Sequence, residues 1–116
     1  PDRTIVVITT DGMENSSRHY NYAKIKHKIE KCKKKNWEFL FLGANMDAIG
    51  EAAKFGIDAD RAVRYECDGE GTRKNYDVLG ETITRARGAE LPCMMAQAIG
   101  TGWSEEIEQD YKKRHK

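Results

Sequence analysis

Four consecutive β-branched aliphatic residues, Ile5-Val6-Val7-Ile8, flanked by Thr4 and Thr9 and cut short by Thr10-Asp11-Gly12, constrain this chain more than any other feature. A half-buried strand alternates apolar and polar residues, because its side chains point to opposite faces in turn. This run does not alternate. It therefore reads as a strand buried on both faces in the middle of a parallel sheet, where helices cover each side.

The segments that follow fit that reading. Asn21 is placed to cap a helix running to about Lys35. Its apolar positions Tyr22, Ile25, Ile29 and Cys32 recur at helical spacing on one face. Trp37-Glu38-Phe39-Leu40-Phe41-Leu42 is a second strand, stopped by Gly43. A strand, a helix and a strand within about 40 residues make a βαβ unit with parallel strands and a right-handed crossover. A second helix is expected over about 46–55, with Asn45 as cap, Asp47 in its first turn and Gly56 as its stop. Ala62-Val63-Arg64-Tyr65 reads as a third strand, and its arginines suit an edge. A third helix is expected over about 73–87, capped by Thr72, with Tyr76, Leu79, Ile83 and Ala86 as its inward stripe. Residues 89–103 carry Pro92 and two glycines and read as irregular. A last helix begins after Ser104, with acid at its start, base at its end, and Trp103, Ile107 and Tyr111 as its sticky side. The expected fold is α/β and three-layered: a parallel sheet with helices on both faces, partial and Rossmann-like, in the order βαβαβα plus a C-terminal helix.

The 116 residues suit one domain. Residues 1–88 are expected to form the α/β unit. Residues 89–116 form an extension whose helix packs on that unit or on a partner. Charged residues make up 34% of the chain, yet the net charge is only +1, so no strong global pull toward nucleic acid or an anionic membrane follows. No apolar run approaches the roughly 20 residues that span a bilayer. Cys32, Cys67 and Cys93 are odd in number and widely spaced, which argues against a disulfide framework or a zinc site and for a reducing, cytoplasmic setting.

The segment Ile5-Val6-Val7-Ile8-Thr9-Thr10-Asp11-Gly12-Met13-Glu14-Asn15-Ser16-Ser17 resembles the strand and Thr-Asp-Gly loop of von Willebrand factor A domains. Phe39-Leu40-Phe41-Leu42-Gly43-Ala44-Asn45-Met46-Asp47-Ala48 is similar to the next strand and helix start in a bacterial and phage branch of that family. The resemblance covers about residues 3–88 and corresponds to the C-terminal half of the family domain. It implies a protein-interaction module of unknown partner rather than an enzyme, with the first strand central in the sheet. It also implies a metal-ion-dependent adhesion site, in which oxygen ligands from three loops hold Mg²⁺ and a partner's carboxylate fills the open position. Asp11 matches the third of those loops. The Asp-x-Ser-x-Ser loop and the Thr-bearing loop have no counterpart here. Mg²⁺ is accordingly expected in an intact parent domain, and no strong binding is expected from this chain alone. A first strand that lacks a neighbour on its outer side leaves a sticky edge, so a homo-oligomer formed through that edge is expected.

Ligands of open α/β sheets bind at the carboxyl ends of the strands. Thr10, Asp11, Glu14, Asn45 and Asp47 are the candidate ligand edge here, and an enzyme with an acidic site at that edge is one alternative. Asp11, Ser16, Ser17 and His19 include the residue types of a hydrolase triad, but they crowd into one loop without a nucleophile elbow. Gly69-Glu70-Gly71-Thr72 lacks the Gly-Lys-Ser/Thr of a phosphate loop. A second alternative is a nucleic-acid-associated protein using the lysines of 24–35. Lys24, Lys28, Lys31 and Lys35 are the candidate basic patch.

Overall fold

In the computed structural model, residues 4–10, 22–44, 47–66 and 68–114 are described. Three parallel strands, β1 (Ile5–Thr10), β2 (Glu38–Ala44) and β3 (Ala62–Tyr65), lie in the order β1-β2-β3. Helix α1 (Tyr22–Lys33) joins the first pair and α2 (Ala48–Lys54) the second. Both steps move the same way across the sheet, so crossovers of one hand put both helices on one face. Three helices line the other face: α3 (Gly69–Arg87), the short α4 (Met95–Ile99) and α5 (Glu105–Arg114). The expected three-layer α/β fold is what forms.

The pleat divides the core into two clusters. Phe39, Phe41 and Ala62 point toward Ile29 of α1 and Ala48 and Ala52 of α2. Leu40, Leu42, Ala44, Val63 and Tyr65 point toward Val78 and Ala86 of α3, Met95 and Ile99 of α4, and Trp103 and Ile107. Phe41, Leu40 and Leu42 have no accessible surface. The strand buried on both faces is therefore β2. β1 is an edge strand, and Ile5, Val6, Val7 and Ile8 are each half-buried. This corrects the expectation of a central first strand: among the described residues three strands lie in sequential order, and of these only the second has a neighbour on each side. β3 takes the opposite edge, as Arg64 implies.

The helix boundaries shift for identifiable reasons. Asp47, not Asn45, caps α2, accepting from the Gly50 N–H at 3.0 Å. Asn45 lies outside the described residues. Gly56 ends that helix at φ +78°, with the Ile57 N–H returning to Ala52 O and the Gly56 N–H to Ala53 O, a Schellman arrangement. α3 begins one turn earlier than expected, because Asp68 caps it through the Gly71 N–H at 2.7 Å. Its inward face also differs. Gly71, Asn75, Val78, Thr82 and Ala86 are buried, while Tyr76 is 72% exposed. Residues 89–103 are not irregular throughout. They fold into a 3-10 turn at Pro92–Met94 and then α4, which Gly100 ends at φ +73°.

Candidate functional site

At the carboxyl edge, the described polar groups are occupied in holding the fold. The Tyr65 hydroxyl donates to Thr10 O at 3.2 Å and so ties the tips of β3 and β1 across the end of β2. Asp47 and Asp68 are helix caps, and a carboxylate there satisfies N–H groups that helix geometry leaves open. Gly71 is required because a Cβ at that position would run into the Glu66 carbonyl oxygen. The Gly-Glu-Gly-Thr stretch is thus the first turn of a helix packed tightly on the end of β3. Asp11, Glu14, Ser16, Ser17 and His19 lie outside the described residues, as does Cys67. Among the described residues, no group of three or more His, Cys, Asp or Glu side chains is placed to hold a metal.

The amino edge holds a cavity of about 270 Å³ lined in part by Lys33, Trp37, Glu38, Asp58 and Arg61. Its polar groups are spoken for. Arg61 donates to Gly100 O at 2.9 Å and Ala96 O at 3.0 Å, and pairs with Glu38 at 3.4 Å. The Lys33 ammonium donates to Gly56 O at 2.7 Å, and the Trp103 indole N–H donates to Asp60 O at 2.7 Å. This web binds α4 and Trp103 to the start of β3. It acts as a brace.

The two sheet edges differ. Beside β3, Arg64 pairs with Glu108 at 3.0 Å and lies over the Tyr111 ring at 4.6 Å, so α5 wraps that edge with charge and an aromatic ring. Edges are ordinarily defended in this way, by charged side chains or covering elements. Among the described residues, β1 has one strand neighbour, β2, and no charged residue of its own. Which backbone groups it leaves open follows from one bond. The Glu38 N–H donates to Thr4 O at 2.9 Å, so the N–H and C=O of Thr4 face β2. Alternation then turns Val6, Ile8 and Thr10 toward β2 and Ile5, Val7 and Thr9 outward. Among the described residues, Ile5, Val7 and Thr9 thus present a row of unpaired donors and acceptors roughly 13 Å long, given ~3.3 Å per residue.

Both flanks of this edge are defined. α2 packs over β2 and β3, and α1 lies beside it on the same face, toward β1. Lys33 bonds to Gly56 beyond α2, and Lys26 and Glu30 lie against Gly56, so that side of α1 faces α2. Lys24, Lys28 and Lys31 are on the opposite side at 3.6 residues per turn, exposed along the β1 edge, and Lys35 is exposed in the turn that follows α1. On the other face, α5 packs on β3, and the Glu81 and Arg85 side of α3 faces α5. Leu79 and Ile83 are on the side of α3 away from α5 and so toward β1, while Tyr76 lies on the outer surface of the helix beside Asp77, Gly80 and Thr84. Leu79 packs against the same cluster as Ile5 and Val7. Most of the basic patch expected from the sequence, and Leu79 and Ile83 of the apolar stripe expected to be buried, thus border one edge, on opposite faces of the sheet. Sequence reasoning did not bring them together because the polar residues Asn75 and Thr82 occupy the truly buried face of α3 and disguise it.

Compared with known proteins, the chain matches no family model, no curated protein and no solved structure. No described helix is long and apolar enough to cross a membrane.

Proposed function

We propose that this chain is a von Willebrand factor A-like protein-interaction module that takes up its partner by strand addition at the outer edge of β1. One observation carries the reading: a β-branched apolar strand with no charge of its own and, among the described residues, a single strand neighbour, whereas Arg64, Glu108 and Tyr111 line the opposite edge. An added strand bonds to such a row through its main chain and draws specificity from alternate side chains. The parallel three-layer sheet, and the end of β1 at Thr10 just before Asp11 in the sequence, support the family reading. Carboxyl-edge carboxylates that serve as helix caps favour an interaction module over an enzyme. The free thiols of Cys32 and Cys93, the latter exposed, accord with a reducing, cytoplasmic setting.

Amide hydrogen exchange on the dilute chain tests the edge. The amides of Val6, Ile8 and Thr10 should exchange slowly and those of Ile5, Val7 and Thr9 quickly. Equal protection of the two sets would mean that the outer edge is already paired, and the reading would fail.

A further inference from the structure

The β1 edge is unlike on its two sides, and the difference specifies what can occupy it. Resting on the strand-addition reading above, we infer that the partner segment alternates acidic and apolar residues, with its acidic side chains toward α1 and its apolar ones toward α3. Successive side chains of a strand laid beside β1 point alternately to the two faces of the sheet. Those directed to the α1 face meet the exposed stripe containing Lys24, Lys28 and Lys31. Those directed to the other face meet Leu79 and Ile83, both half-buried. A stripe of ammonium groups complements carboxylates, and such pairing fixes partner choice and register more than raw affinity. The apolar flank of α3 gains burial when the alternate residues are Val, Ile or Leu.

A second copy of the chain fits less well. Two β1 edges joined side by side about a two-fold axis run antiparallel, with the axis normal to the sheet. That arrangement sets α1 beside its own copy on one face. The lysine stripes then oppose each other at close range, and like charges across an interface are unfavourable. Apolar contact between the two α3 flanks would have to overcome this repulsion. A duplex nucleic acid matches the lysines but leaves the row of backbone groups and the apolar flank unused.

The test uses the full chain and fluorescently labelled synthetic ten-residue peptides: one of alternating Glu and Val, one of alternating Lys and Val, and one with four Glu blocked together ahead of the Val residues. Anisotropy reads affinity, and amide exchange of Ile5, Val7 and Thr9 reads the docking site. The alternating acidic peptide should bind at least tenfold tighter than either control and should slow exchange at those three amides. The variant Lys28→Glu/Lys31→Glu, altered only at exposed positions, should lose roughly tenfold in affinity for the acidic peptide and gain for the basic one. Ile83→Ser should weaken binding with the charge preference intact. Equal protection of the edge amides by both alternating peptides would leave strand addition standing and overturn the charge assignment. Protection by neither would overturn both. Protection that instead rises with the concentration of the chain alone assigns the edge to a second copy and overturns the inference. So does displacement of the acidic peptide by a short DNA duplex without any change in edge-amide exchange.

Discussion

Replacing Arg61 with Met should reveal how much the amino-edge brace contributes. The guanidinium side chain is 12% exposed, and the Glu38 carboxylate beside it is 18% exposed. Its hydrogen bonds to Gly100 O and Ala96 O, at 2.9 and 3.0 Å, are of the charge-assisted kind, worth about 1.5–3 kcal/mol each when intact. Removing one member of a largely buried pair costs about 3–5 kcal/mol, most of it from the groups left unpaired. The adjoining cavity of about 270 Å³ admits water to Glu38 and to the freed carbonyls, which moves the expectation to the low end. Methionine keeps much of the aliphatic stem, so lost packing adds little. The expected loss is about 3 kcal/mol, or roughly 12 °C in Tm for a chain of this size. Urea denaturation followed by far-UV circular dichroism and by Trp fluorescence measures it. Trp103 reports on the brace directly, because its indole N–H bonds to Asp60 O. The companion Glu38→Gln keeps a hydrogen-bond acceptor and should cost about 1 kcal/mol, with a coupling of similar size in the double-mutant cycle. A loss below about 0.5 kcal/mol for Arg61→Met would refute the reasoning, because it would show that α4 is held to the sheet by its apolar contacts alone.

Three further outcomes follow from particular contacts. Ile107→Ala empties a site that is 1% exposed in the core and should cost about 3 kcal/mol in denaturant melts; a cost near zero would mean that α5 is not docked on the sheet. Gly71→Ala puts a methyl group against the Glu66 carbonyl and should cost more than about 2 kcal/mol, whereas Gly80→Ala, with open space around it, should be neutral or slightly stabilising through helix propensity. Asp47→Ala removes the α2 cap and should cost about 1 kcal/mol, with Asp47→Ser restoring most of it; a silent Asp47→Ala would mean the Gly50 N–H finds another acceptor.

Fold class and the positions of the second and third strands were legible because they rest on local pattern. The second strand shows no alternation because it is covered on both sides, and the third shows its edge position in Arg64. The inward face of α3 was not legible. Helical periodicity selects the apolar residues Tyr76, Leu79 and Ile83, but the face against the sheet is set by how closely the helix must approach. Gly71, Thr82 and Ala86 are small, and the Thr82 hydroxyl is satisfied within its own helix by Val78 O at 2.8 Å. Asn75 is harder to account for, since its Oδ1 is buried without a hydrogen-bond partner. α4 escaped notice because five residues are too few to display a period. Only Pro92 before it and Gly100 after it mark its limits.

The misplacement of the first strand is the most informative of these differences. Sequence pattern reports the environment a strand is suited to, and structure reports where the strand sits. For β2 and β3 the two agree. For β1 they disagree: Ile5-Val6-Val7-Ile8 suits the middle of a sheet and occupies its rim. Half-burial of four aliphatic side chains leaves apolar surface whose transfer from water is worth about 25 cal/mol per Å². The outward backbone groups of Ile5, Val7 and Thr9 add directional bonds to that gain. The apolar stripe of α3 shows the same mismatch, with a core-like periodicity on a flank half open to solvent. On the proposal above, a single partner strand would cover both elements where they meet along one line. On that proposal the lysines of α1, on the opposite face of the sheet from α3, would set its charge.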